Sequence, residues 1–234
     1  MNKRICNYCW LGRIDYLQAW ELQKELAAEV AAGGPDILLL LEHPPTYTLG
    51  RRGNESNLLV SRQTLQDRGA VLIHSDRGGD ITFHGPGQLV GYPIIDLARQ
   101  GSGISGYLRM LEETLIRSLG GCRISAGRIE GYTGVWVAQE KIAAIGVKIT
   151  ARRVTQHGFA LNLNTDLSYF GLITPCGITD KGVTALSRLQ GREVSLPDFS
   201  RRVAADFGEI FDKEMVEIEP ESLSATAGCE APSK

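Results

Sequence analysis

Apolar positions fall at helical spacing in three stretches of the chain. Between Asp15 and Val30, the residues Tyr16, Ala19, Trp20, Gln23, Leu26, Ala27 and Val30 share one stripe, and Asp15 with Gln18 resembles a capping box. Gly33, Gly34 and Pro35 end this helix. A second helix is predicted from about Ser105 to Leu119, where Leu108, Leu111, Leu115 and Leu119 recur. A third runs from Asp198 to Asp212 behind Pro197 and turns Phe199, Val203, Phe207 and Ile210 inward. Ile37 to Glu42 reads as a buried strand stopped by His43, Pro44 and Pro45. Further strands are predicted at Val71–His74, Ile81–His84, Gln88–Leu97, Gly134–Val137, Lys141–Thr150 and Gly158–Asn164. Turns as short as Ala138 to Glu140 cannot hold a crossover helix, so hairpins are expected rather than repeated βαβ units. The class is α+β, a mixed, largely antiparallel sheet flanked by helices. One domain is expected over 1–216. From Glu219 the chain turns to Glu, Ser, Ala and Pro without periodicity, and 217–234 is expected to be a disordered tail in which Cys229 has no fixed environment.

The 234 residues are 43% hydrophobic, enough to bury a core, and carry a formal net charge of -2. Lys and Arg are scattered, which argues against nucleic acid or an anionic membrane as partner. The longest apolar run, Ile37 to Leu41, is strand-sized, and Met1 to Trp10 leads into no signal core, so a cytoplasmic protein is expected. The five cysteines are an odd set without framework spacing and are expected to be free thiols.

Four segments carry candidate chemistry. "GSGISG", with Gly101, Gly103 and Gly106, matches a dinucleotide fingerprint but lacks the parallel βαβ unit that gives it meaning, and helix capping accounts for it. "RGGDITFHGPGQLVGYP", Arg77 to Pro93, gathers Arg, glycines, His and Gln; its glycines bring backbone N–H groups close to whatever binds. In "KIAAIGVKI" a regular strand sets Lys141 on one face with Ala143, Ile145 and Val147, where desolvation would lower its pKa, and sets Lys148 on the other, solvated face. "QHGFALNLN" alternates Phe159, Leu161 and Leu163 with Gly158, Ala160, Asn162 and Asn164, giving one small, polar face, and His157 precedes it.

Cys176 sits in "LITPCGIT", a turn-forming setting with backbone N–H groups available to a thiolate. No CxxC or HxxxH pair lies near it, and the CxxC of Cys6 and Cys9 lacks a second pair, so no metal and no cofactor are expected. The residues alone leave Cys176 as filler or nucleophile, with Lys141, His84 and His157 all candidate bases.

Taken together, "RGGDITFHGPGQLVGY", "KIAAIG", "HGFALN" and "PCGI", preceded by "EHPPTYTLG", resemble the bacterial octanoyltransferases of the biotin/lipoate protein ligase superfamily from about Gly12 to Asp212. The resemblance implies a biotin/lipoate ligase-like catalytic domain. It implies transfer of an octanoyl group from octanoyl-acyl carrier protein to the lysine of lipoyl domains, in 2-oxoacid dehydrogenase E2 subunits and the glycine cleavage H protein. By position it makes Cys176 the acyl-thioester nucleophile and Lys141 the group that lowers its pKa. Substrate-binding positions would be Arg77, Gly78, Gly79, Asp80, Ile81, Thr82, Phe83 and His84, then Ala144, Ile145 and Gly146, then His157, Gly158 and Phe159. The rival readings are an ATP-dependent lipoate or biotin ligase, an amidotransferase between lipoyl domains, and a carrier-binding module without chemistry. "RGGDITFHG" stands where a ligase would have an adenylate-binding loop.

Overall fold

The apolar run at Ile37 is the strand around which the main sheet is organised. A computed structural model describes residues 3–174 and 181–224. The chain opens with β1 (Arg4–Arg13), α1 (Tyr16–Ala31) and β2 (Asp36–Glu42). It continues through β3 (Thr46–Leu49), α2 (Arg62–Asp67), β4 (Val71–His74), β5 (Ile81–His84) and β6 (Gln88–Ile94). After α3 (Leu97–Gln100) and α4 (Ile104–Gly120) come β7 (Gly127–Ile129), β8 (Tyr132–Val137), β9 (Glu140–Ile149) and β10 (Thr155–Asn162). The final elements are β11 (Gly182–Val183), α5 (Leu186–Gln190), α6 (Leu196–Phe211), β12 (Lys213–Glu217) and α7 (Glu221–Ser224).

Among the described residues the main sheet has the order β12-β1-β2-β6-β10-β9-β8-β7, with β11 added beside β9, and a small second sheet has the order β4-β3-β5. The run from β2 through β6, β10, β9 and β8 to β7 is antiparallel, as the short turns predict. The N-terminal edge is not: β1 pairs parallel with both β2 and β12, and β3 pairs parallel with β4. Thus β1-α1-β2 is a crossover unit that the hairpin expectation omitted. β1 itself went unpredicted because its cysteines, aromatics and charges hide the strand pattern.

β2 is buried on both faces, which explains its unbroken apolar sequence. Leu38 and Leu40 join Phe159, Leu161 and the inward residues of α4 and α6 in one core. Ile37, Leu39 and Leu41 join Val90, Tyr92, Ala160 and α1 in the other. A third cluster, around Tyr47, Ile81, Phe83 and Phe170, fills the space over the second sheet. Asp15 caps α1 by accepting from the Leu17 and Gln18 N–H groups, and Ser195 caps α6, in which Pro197 occupies the first turn. Gly101 ends α3 in the left-handed region and Gly103 caps α4, so the apparent fingerprint there is helix punctuation. β6 stops at Ile94, short of the predicted Leu97, because Asp96 turns the chain and caps α3. No helix among the described residues is long and apolar enough to cross a membrane.

The boundary expected at residue 216 is displaced. β12 runs to Glu217, the Ile218 N–H donates to the Tyr8 carbonyl, and Leu223 of α7 is buried in the α1 core. The reason is a long-range ion pair invisible to local composition. Lys213 Nζ lies 2.8 Å from Asp36 Oδ2 with both side chains buried, while Arg99 reaches Asp36 only at 3.5 Å. Lys213→Ala leaves the buried Asp36 with Arg99 at 3.5 Å as its remaining cation, and urea unfolding should show a loss of about 3 kcal/mol; an unchanged midpoint would mean that Arg99 compensates.

Candidate active-site cleft

A cleft of about 470 Å³ opens over β9 and β10 on the face that α1 covers. Its volume lies within the usual range for small-ligand sites, roughly 300 to 1,000 Å³. The sheet beneath it carries almost no side chain: Ala144 pairs with Ala160 and Gly146 with Gly158. That is the small face predicted from "HGFALN", continued onto the next strand. The loop from Arg77 to Gly79 forms the opposite lip. The Gly78 N–H donates to the Val147 carbonyl at 2.9 Å, and a Cβ on Gly146 would come within 2.9 Å of the Gly78 carbonyl oxygen. This approach therefore needs glycine, and Gly79 adds a left-handed turn at φ +92.

The inner wall is polar in composition; several of its polar atoms are engaged, whereas the buried His157 Nδ1 has no hydrogen-bond partner among the described residues. Tyr16 Oη lies 2.9 Å from Ser75 Oγ, and Tyr92 Oη lies 2.7 Å from His43 Nε2. The other His43 nitrogen faces the Ile14 carbonyl at 2.7 Å, so it carries the hydrogen and Nε2 accepts from the tyrosine. Burial lowers the His43 pKa to about 4. Burial, then His43 and Arg77, push the His84 pKa well down as well; its Nδ1 contacts Gln88 Oε1 at 2.9 Å. Arg77 donates to Thr48 Oγ1 and to the carbonyls of Thr48, Gly78 and Asp80, so its guanidinium ties the second sheet to the lip of the cleft. What remains for a ligand is largely aromatic ring and glycine backbone.

His157 takes left-handed backbone at φ 55, unusual for a residue with a side chain. Its ring packs with Trp20 and Tyr92, and its N–H donates to Gln23 Oε1 at 2.6 Å. His157 Nε2 is 2.7 Å from Asp76 Oδ1, and Lys148 Nζ is 2.5 Å from Asp76 Oδ2. The bonds from His157 and Lys148 hold the Asp76 carboxyl far below the usual carboxylate range, whereas burial keeps the His157 pKa lowered despite Asp76. Lys148, expected to be solvated, is thus an ion-pair partner.

Lys141 lines the cleft, with Nζ 4.8 Å from the Trp136 ring centroid. Its strand is not regular. β8 and β9 pair as Trp136 with Lys141 but Val135 with Ala143, leaving Ile142 as an extra residue. This bulge buries Ile142 and Ala143 together in the α4/α6 core and turns Lys141 to the side of Ala144 and Gly146. The expected face of Ala143, Ile145 and Val147 is therefore corrected.

Of the positions implied by resemblance, Arg77, Gly78, Gly79, Thr82 and His84 line the cleft, as do Ala144 through Gly146 and His157 through Phe159. Asp80, Ile81 and Phe83 do not. Asp80 accepts from the Asn54 N–H and the Asn57 amide, while strand alternation sends Ile81 and Phe83 into the third core. Cys176 lies outside the described residues. On either side of it, the Thr174 N–H donates to the Asn57 carbonyl, and Val183 pairs with Lys141. Cys6 and Cys9 belong to different cores on opposite faces of β1 and cannot share a metal. Tyr16, Tyr92 and Asp76 were not foreseen. Asp76 directly precedes the Arg77 motif, but only the tertiary pairing reveals its partners.

Residues 15–208 match the family model described as the lipoyl protein ligase A/B catalytic domain. The chain is 52% identical over 201 residues to a protein named octanoyltransferase from Rubrobacter xylanophilus, covering 85% of this chain and 90% of the relative. It is 49% identical over 205 residues to the octanoyltransferase of Chloroflexus aurantiacus, covering 86% and 92%. In fold it is similar to a bipartite lipoate protein ligase from Thermoplasma acidophilum, with a TM-score of 0.72 at 17% identity over 95% of this chain and 91% of that one. A biotin protein ligase from Aquifex aeolicus gives 0.54 at 12% identity over 88% and 70%.

The wall also sets a pH dependence. His43 stays neutral in the folded protein down to about pH 4, whereas an unfolded histidine takes up a proton below about 6.5. Its contribution is complete above about 6.5 and is lost as pH falls toward about 4, up to about 3 kcal/mol. Burial of His84 and His157 acts in the same direction. Urea midpoints measured across this window should fall with pH, and less steeply in His43→Leu; identical slopes would remove His43 from the account.

Proposed function

The chain belongs to the family of lipoyl protein ligase A/B catalytic domains, and from that premise we propose that it is an octanoyltransferase working through a cysteine thioester. The donor is octanoyl-acyl carrier protein and the acceptor is the lysine of a lipoyl domain. What supports the reading is the cleft: the amine of Lys141 in its lining, small residues along its floor, and tyrosines whose hydroxyls are already hydrogen-bonded. Such a site suits an acyl chain, since each buried CH₂ contributes about 0.8 kcal/mol.

In the first half-reaction the Cys176 thiolate attacks the carrier thioester. A carbon–sulfur bond to Cys176 forms, the bond to the carrier breaks, and the carrier thiolate takes a proton. In the second, the neutral amine of the acceptor lysine attacks the enzyme thioester. The carbon–nitrogen bond forms, the Cys176 thiolate leaves, and Lys141 accepts the amine proton. Charged Lys141 stabilises the Cys176 thiolate before the first step, gives its proton to the departing carrier thiolate, and is therefore neutral when it accepts the amine proton in the second. The anchoring of Val183 beside Lys141, a short way along the chain from Cys176, supports this pairing. A covalent relay lets two bulky carriers dock in turn, which gives ping-pong kinetics.

The intact protein, mixed with octanoyl-acyl carrier protein without ATP, should gain the mass of one octanoyl group, and Cys176→Ser should gain none and transfer none. Full transfer by that variant would sink the thioester mechanism, and a requirement for ATP would favour a ligase. Alkylation of Cys176 should stay fast well below the free-thiol pKa of about 8.5, and Lys141→Ala should move that profile upward. Coincident profiles would mean that Lys141 does not tune the thiol.

A further inference from the structure

The family reading leaves open what limits the length of the acyl chain. Tyr92 sits on β6 on the same sheet face as Ala160 and α1, and extending the β6–β10 pairing puts it level with Gly158, which pairs with Gly146. From Lys141 to Gly146 along β9, with Ile142 taken up by the bulge, is about 13 Å, and from β9 across β10 to β6 is about 10 Å. The diagonal from Lys141 to Tyr92 is then about 16 Å between Cα atoms. An extended eight-carbon chain spans about 10 Å, by the reach of any sp³ chain. The remaining distance is taken up by the Tyr92 ring at one end and the reacting groups at the other.

Between these ends the Gly78 carbonyl and the Arg77 side chain close over Gly146, and the only side chains on the open floor are those of Ala144 and Ala160, over which a straight chain runs to the ring. The ring cannot yield easily. Tyr92 is 3% exposed, its hydroxyl is held by His43 Nε2, and His43 is itself fixed to the Ile14 carbonyl and packed 5.2 Å from Tyr16. A tyrosine free to swing would admit chains of many lengths; one locked at both ring and hydroxyl makes a hard stop.

We infer that Tyr92, braced by His43, is the specificity-determining residue that ends the acyl groove and selects chains of about eight carbons. This rests on the octanoyl-transfer reading. Ala144, midway along the floor, is the complementary position: a larger side chain there shortens the groove without touching the stop.

The test is a competition in which the full-length enzyme receives carrier thioesters of four, six, eight, ten and twelve carbons together, with the product read as the mass of the acylated lipoyl domain. Tyr92→Ala should raise the decanoyl-to-octanoyl product ratio about tenfold, the value of two additional buried methylenes. Ala144→Leu should raise the hexanoyl-to-octanoyl ratio by a similar factor. Circular dichroism establishes that each variant is folded, and Tyr92→Leu replaces Tyr92→Ala if the latter is not. Wild-type product ratios in folded Tyr92 and Ala144 variants would overturn the inference while leaving octanoyl transfer intact. No acyl transfer by the wild-type enzyme would instead remove the functional reading on which it stands.

Discussion

The contact on which the site depends is the seating of the Arg77–Gly79 loop on the end of β9. The Gly78 N–H meets the Val147 carbonyl, and Gly146 lies so close beneath that a single added carbon would strike the loop. That contact fixes the lip of the cleft against the main sheet. Arg77 carries the same constraint outward, its guanidinium holding Thr48 of the second sheet together with the carbonyls of its own loop. Asp76 carries it inward, to Lys148 on β9 and His157 on β10. A glycine pair, an arginine and a carboxylate thus join two sheets at one point.

The electrostatics of the cleft follow from this closure. Histidines sealed behind aromatic rings are kept neutral, since charging them would require hydration the wall excludes. Each then serves as a hydrogen-bonding strut, His43 to Tyr92 and His84 to Gln88 and Thr48. Lys141, Arg52 and Arg77 bring charge to the lining itself, while Asp76, paired with Lys148, holds His157. For the proposed acyl transfer, Lys141 would supply the cation near the reacting carbonyl and the small floor of β9 and β10 the berth for the tail.

Strain is concentrated where the cleft is shaped. The bulge at Ile142 and the left-handed backbone at His157 both depart from regular pairing, and each redirects a functional side chain onto the α1 side of the sheet. Regular strands would have sent Lys141 into the opposite core and separated His157 from Gln156. These departures persist because the flanking pairs between β9 and β10, and the packing of Trp20, Tyr92 and Trp136, hold them in place.

By itself the sequence determined the three long helices, the antiparallel run of strands, the order of the motifs and the small face of β10, because these depend on periodicity and on residue volume, which are local. It also marked Lys141 and the glycine-rich loop as the places to look. Only the tertiary structure decided that β12 and α7 are built onto the sheet, since a buried Lys213–Asp36 pair joins residues at opposite ends of the chain. It alone brought Tyr16 and Tyr92 into the cleft, set Asp76 against His157 and Lys148, and turned Lys141 to the side of Ala144 and Gly146. A one-residue bulge, a positive φ and an ion pair between distant strands arise from how elements meet, and no pattern along a single segment encodes them.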